Sequence, residues 1–126
     1  MRGMVTGLQM AARVLWLAQI VLGVLFWTGS ATSLTDLHML LGLVFALLVA
    51  VLAVLAGVRG GSPGLLVGGL AVAVLLPVVG IGQTGWLPGS QHWAIQVVHL
   101  LVGLAGIAVA EAAGGRLRRQ AGAASS

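Results

Sequence analysis

Apolar residues occupy the chain in four long blocks, at about residues 8–28, 37–58, 65–84 and 93–113, separated by short polar or glycine-rich breaks. Each block reaches the roughly 20 residues that carry an α-helix across about 30 Å of hydrocarbon. The blocks are continuous rather than alternating, which argues against strands, and a transmembrane barrel needs about eight strands or more. The pattern predicts an all-α, polytopic membrane protein: an up-down bundle of four transmembrane helices in a single domain, residues 1–113. Pro77, inside the third block, predicts a kink or a freed carbonyl there.

The breaks carry the remaining signals. Residues 1–31 have a cleaved signal peptide as a competing reading, but Arg13 sits late and the apolar run leads directly into another span. Residues 114–126 are mostly arginine, glycine, alanine and serine and read as a disordered tail. Arg2 and Arg13, Arg59, and Arg116, Arg118 and Arg119 fall in three regions that four spans bring to one side. The stretches Gly29 to Asp36 and Gly85 to His92 hold no arginine. The positive-inside rule then places both termini in the cytoplasm and the protein in the inner (plasma) membrane as a multi-pass chain. Trp27, Trp86 and Trp93 gather at the opposite interface, whereas Trp16 falls outside that belt.

Composition sharpens this picture. Of 126 residues, 60% are hydrophobic and 6% charged, against about 25% charged in soluble domains. The acids are Asp36 and Glu111 alone, and every basic residue is arginine. A water-exposed surface cannot be made from this inventory. The net charge of +4 does not indicate nucleic acid, because the arginines form no stripe and no aromatic interleaving accompanies them. Without cysteine, disulfides, iron–sulfur clusters and thiol nucleophiles are excluded. The 20 glycines suit close helix packing in a membrane.

Three histidines carry the candidate chemistry, and ionisable groups inside a membrane are expensive enough to be functional candidates. His38 opens the second span, His99 lies within the fourth, and His92 lies just before it. Leu37-His38-Met39-Leu40-Leu41-Gly42 and Val98-His99-Leu100-Leu101-Val102-Gly103 are matching cassettes, with glycine four residues beyond each histidine. Thr28-Gly29 and Thr84-Gly85 add a weaker echo, as a duplicated helical hairpin would. Glycine at that spacing clears the helix surface beside the imidazole for a flat group. Spans two and four, diagonal in such a bundle and about 14 Å apart, would bring both imidazoles to one depth. That suits one haem b per chain, its iron ligated axially by His38 and His99. Gly42 and Gly103 would line it, with His92 and Gln83 contacting it from the rim. Purely structural histidines, another metal, or a proton or quinone role remain open alternatives. Asp36 reads as a helix cap or loop group, and Glu111 as a partner for a basic tail residue.

These cassettes resemble those of the four-helix, bis-histidine membrane cytochromes b, and more closely one half of haem A synthase. In that family each half places one histidine near the outer end of its second helix and one in its fourth, the positions of His38 and His99. The outer-loop cysteine pair and the second bundle of that family are absent from this sequence. The resemblance therefore implies bis-histidine haem binding rather than haem A synthesis. The expected function is one-electron transfer near the extracytoplasmic face. Its partners are the lipid bilayer, a quinol or redox protein, and a second copy or a larger membrane complex. The alternative is a non-redox scaffold or small transporter subunit.

Overall fold

A computed structural model describes residues 1–125. Four helices account for most of them: α1 (Arg2–Trp27), α2 (Thr35–Val58), α3 (Pro63–Gly82) and α4 (His92–Ala123). Short 3-10 turns, Thr32–Leu34 and Gly89–Gln91, lead into α2 and α4. No strand occurs among the described residues. All four helices are long and apolar enough to cross a membrane.

Two helices exceed their apolar blocks. α1 begins at Arg2 rather than near Leu8, and α4 continues to Ala123 where a disordered tail was expected from Gly114. Ser126, the last residue of that expected tail, lies outside the described residues. The extension has a physical basis. Alanine, arginine and glutamine are strong helix formers, and Val5 and Leu117 are both buried in the core. Gln9 packs onto Gly114, where no β-carbon would fit. These extra turns are therefore held by tertiary packing, not by propensity alone.

The connections follow from local chemistry. α1 ends where Gly29 takes a left-handed φ of 77°, so that Gly29 and Ser30 donate back to Phe26 and Leu25. Thr28 and Thr84 repeat one another in structure as in sequence: each Oγ1 donates to the carbonyl three residues earlier, at Leu25 and Ile81. Between α2 and α3, Gly61 at φ 57° makes the turn and Pro63 starts the next helix at its first position. Arg116 Nε and Gln120 Nε2 donate to the Gly60 carbonyl at 2.5 and 2.8 Å, tying this turn to α4. Asp36 lies in the first turn of α2 but does not cap it; Leu34 occupies the cap position.

Successive helices run antiparallel. Gln19 on α1 meets His38 on α2, Ala53 on α2 meets Gly69 on α3, Gly80 on α3 meets His99 on α4, and Gln9 on α1 meets Ala110 on α4. The bundle is not square. α2 and α4 pack directly against each other, whereas no Cα of α1 comes within 8 Å of one in α3. The expected diagonal of about 14 Å is therefore corrected for α2 and α4. Gly106 explains the approach, since a β-carbon there would stand 2.9 Å from the Phe45 ring.

The solid core occupies one half of the bundle. Val49, Leu52, Ala53 and Ala56 of α2 pack there with Ala73, Ala110, Ala113, Leu117, Val5 and Ala12. Outside it, leucines and valines such as Val14, Leu47, Val67 and Val74 point away from the bundle, giving an apolar exterior. Arg13 and Glu111 bridge α1 and α4 through paired contacts of 2.6 and 2.8 Å. Glu111 thus pairs with Arg13 rather than with the arginines of the chain end, because α1 lies against α4 at this level.

Candidate functional site

Beyond the Phe45 and Leu76 side chains the bundle hollows into a cleft of about 390 Å³, within the roughly 300–1,000 Å³ of ligand sites. Every helix contributes to it at helical spacing. α1 supplies Trp16, Gln19, Gly23 and Phe26; α2 supplies Thr35, His38, Gly42 and Phe45. α3 adds Leu76 and Gly80, with Gln83 directly after its end, and α4 adds Gln96, His99 and Gly103. No arginine or carboxylate lines the cleft.

His38 and His99 face each other across it, with ring centroids 6.2 Å apart and planes at 60°. Packing holds both rings. Phe26 meets the His38 ring edge-on at 5.2 Å. Gly80 seats His99, since a β-carbon there would come within 3.1 Å of the imidazole. Gln19 steadies the α2 side by donating to the His38 carbonyl at 2.7 Å.

The cleft is rich in buried polar atoms that lack partners. His38 Nδ1, His99 Nδ1, Gln19 Oε1 and Trp16 Nε1 are all buried without a hydrogen bond, and all four residues line the cleft. Leaving a buried donor or acceptor unmade costs about 1–3 kcal/mol. Four in one apolar cavity make a site that is polar at chosen points, as ligand sites are.

The two histidines stand alone as ligands, because no group of three or more histidines, cysteines or acids comes together among the described residues. A tetrahedral zinc site is thereby left two ligands short. The two rings meet edge-to-face, with centroids 6.2 Å apart. Two imidazoles lining one apolar cleft are a donor set that suits haem iron rather than zinc.

The remaining expected residues divide. Gln83 lines the cleft and Gly103 opens onto it, with nothing within 4 Å of where its β-carbon would lie. Gly42 also lines it, but the space beside Gly42 is taken by the Gln19 amide, 2.9 Å from a β-carbon there. His92 lies apart from the cleft, its Nδ1 3.4 Å from the Trp86 carbonyl oxygen. Trp16, Gln19, Phe26, Gly80 and Gln96 are site residues that the histidine cassettes did not reveal. The helical spacing of Trp16, Gln19, Gly23 and Phe26 would have pointed to α1. No family model, curated protein or solved structure matches the chain, so the likeness to the cytochromes b and haem A synthase rests on the histidine cassettes alone.

Proposed function

We propose that the chain is an integral membrane protein that binds one haem b between His38 and His99 and serves one-electron transfer. The observation that carries this reading is the pair of imidazoles, 6.2 Å apart between ring centroids, inside an apolar cleft. When bound there, haem supplies reversible one-electron redox chemistry at a site with no free coordination position.

The protein's own part is to hold and shield. His38 and His99 would hold the iron through one imidazole nitrogen each, from parallel helices. Both Nδ1 atoms are buried without a hydrogen bond, so ring packing against Phe26 and Gly80 would hold the ligand orientation. Gly103 and Gly23 leave room for a flat macrocycle, while Phe45 and Leu76 close the floor. Gln83, Thr84 and Gln96 place neutral polar groups in the lining, where the propionates can be met without an arginine. The arginine distribution supports an orientation with both termini in the cytoplasm and the cleft near the extracytoplasmic face of the plasma membrane. Electron partners there are a quinol or a redox protein.

The test is absorption spectroscopy of protein purified from haem-supplied cells, oxidised and dithionite-reduced, with haem quantified per chain. Low-spin b-type bands at one haem per chain are expected, lost in His38→Ala and in His99→Ala and kept in His92→Ala. A helical, detergent-stable protein that stays colourless even after reconstitution with haem refutes the reading and favours a non-redox membrane scaffold or transporter subunit.

A further inference from the structure

The opposite end of the bundle collects arginines that, Arg13 apart, meet no carboxylate among the described residues. Asp36 lies at the far end, at the start of α2, and Glu111 is engaged by Arg13 in the one ion pair among the described residues. Arg116 is committed to the Gly60 and Gly61 carbonyls. Arg2 lies over Gly122 of α4, and Arg59 Nη1 lies 3.5 Å from Met1 Sδ; neither meets a carboxylate. Beside Arg59 a groove of about 360 Å³ opens, lined by Met1, Leu117, Gln120, Ala121 and Ala124.

Its chemistry is two-sided. Leu117, Ala121 and Met1 give an apolar floor, and Arg59, without a carboxylate partner among the described residues, gives a cation at the rim, with the Gln120 amide beside it. Its depth is fixed by the sequence. Arg59 follows directly on Val58, the last residue of α2, so in a membrane it stands where hydrocarbon gives way to headgroups. Basic pockets between spanning helices at that level recognise anionic lipid headgroups. A free phosphate would use the cation but leave the apolar floor uncovered.

We propose that the groove bounded by Met1, Arg59, Leu117, Gln120 and Ala121 binds the phosphodiester headgroup of an anionic phospholipid, its glycerol and upper acyl carbons lying on the apolar floor. The proposal rests on the membrane reading above and is independent of the histidine cleft. Full-length protein is assembled in nanodiscs of phosphatidylcholine with and without phosphatidylglycerol, and co-elution with the discs verifies insertion separately from lipid choice. Retained phosphatidylglycerol is then counted by native mass spectrometry. Arg59→Gln is expected to lower phosphatidylglycerol affinity about fivefold. Arg119→Gln, which removes the same charge outside the groove, leaves it unchanged. Ala121→Trp fills the groove with no change of charge and is expected to lower retention as Arg59→Gln does, which keeps the test valid if one variant misfolds. Equal losses in Arg59→Gln and Arg119→Gln would overturn the site in favour of diffuse charge attraction. Competition by millimolar inorganic phosphate would overturn it in favour of a free-anion site.

Discussion

At the scale of single residues, the two glycines of the matching cassettes have unequal neighbours. Gly42 faces the Gln19 amide at close range, whereas Gly103 opens onto the cleft. Gly42→Ala pushes on the end of a flexible side chain and disturbs the Gln19 hydrogen bond to the His38 carbonyl. Gly103→Leu instead inserts four carbons where a macrocycle would lie. We expect Gly103→Leu to abolish haem uptake in purified protein with helix content unchanged by circular dichroism. Gly42→Ala is expected to retain haem with altered band positions. Equal haem occupancy in Gly103→Leu and the parent chain would remove Gly103 from the site. Only part of this was legible in the sequence. The histidine and glycine spacing is visible in two cassettes, and the spacing of Trp16, Gln19, Gly23 and Phe26 marks one face of α1. Which of the polar α1 side chains, Gln9, Arg13 or Gln19, reaches the cleft is decided by packing against α2 and α4, which spacing alone does not encode.

At the scale of elements, small residues decide which helices come close. Gly69 of α3 lies against Ala53 of α2, in a space that admits no β-carbon, and a β-carbon at Gly57 would stand 2.6 Å from Leu66 Cβ. Without a hydrophobic driving force between helices in lipid, such contact relies on dispersion across a short backbone separation. Gly69→Leu overpacks this seam and is expected to cost at least about 1–3 kcal/mol, read from reversible unfolding in mixed micelles. Gly68→Leu, with nothing within 4 Å of its β-carbon position, serves as the neutral comparison. The four helices were legible because their apolar blocks are long and uninterrupted. The extra turns over residues 2–7 and from Gly114 onward were not, because the first lack a long apolar run and the second, rich in arginine and glycine, look like a solvated tail. Their helicity depends on burying Val5 and Leu117 against one another's neighbours, a non-local contact that local composition does not encode. The flattening that joins α2 to α4 is of the same kind, set by Gly106 against Phe45.

At the scale of the whole molecule, the proposed haem site and the proposed lipid site lie at opposite ends of one bundle. The half towards the arginine end holds the buried core and is tied by Arg116, Gln120 and the Arg13–Glu111 pair; the histidine end is hollow between the helices. A packed half gives the hollow half a fixed scaffold, as a site that must hold two imidazoles at one spacing requires. The charge asymmetry that distinguishes these ends, with all six arginines outside the loops of the histidine end, is what the proposed orientation rests on. The absence of native cysteine makes this directly measurable with single-cysteine variants in intact cells. Ser90→Cys, in the connection before α4, is expected to react with a membrane-impermeant maleimide added outside. Ser125→Cys, beyond the end of α4, is expected to react only after the membrane is permeabilised. The reversed pattern would put the histidine cleft on the cytoplasmic side and require a cytoplasmic electron partner, because electron exchange has to occur at whichever face the cleft approaches.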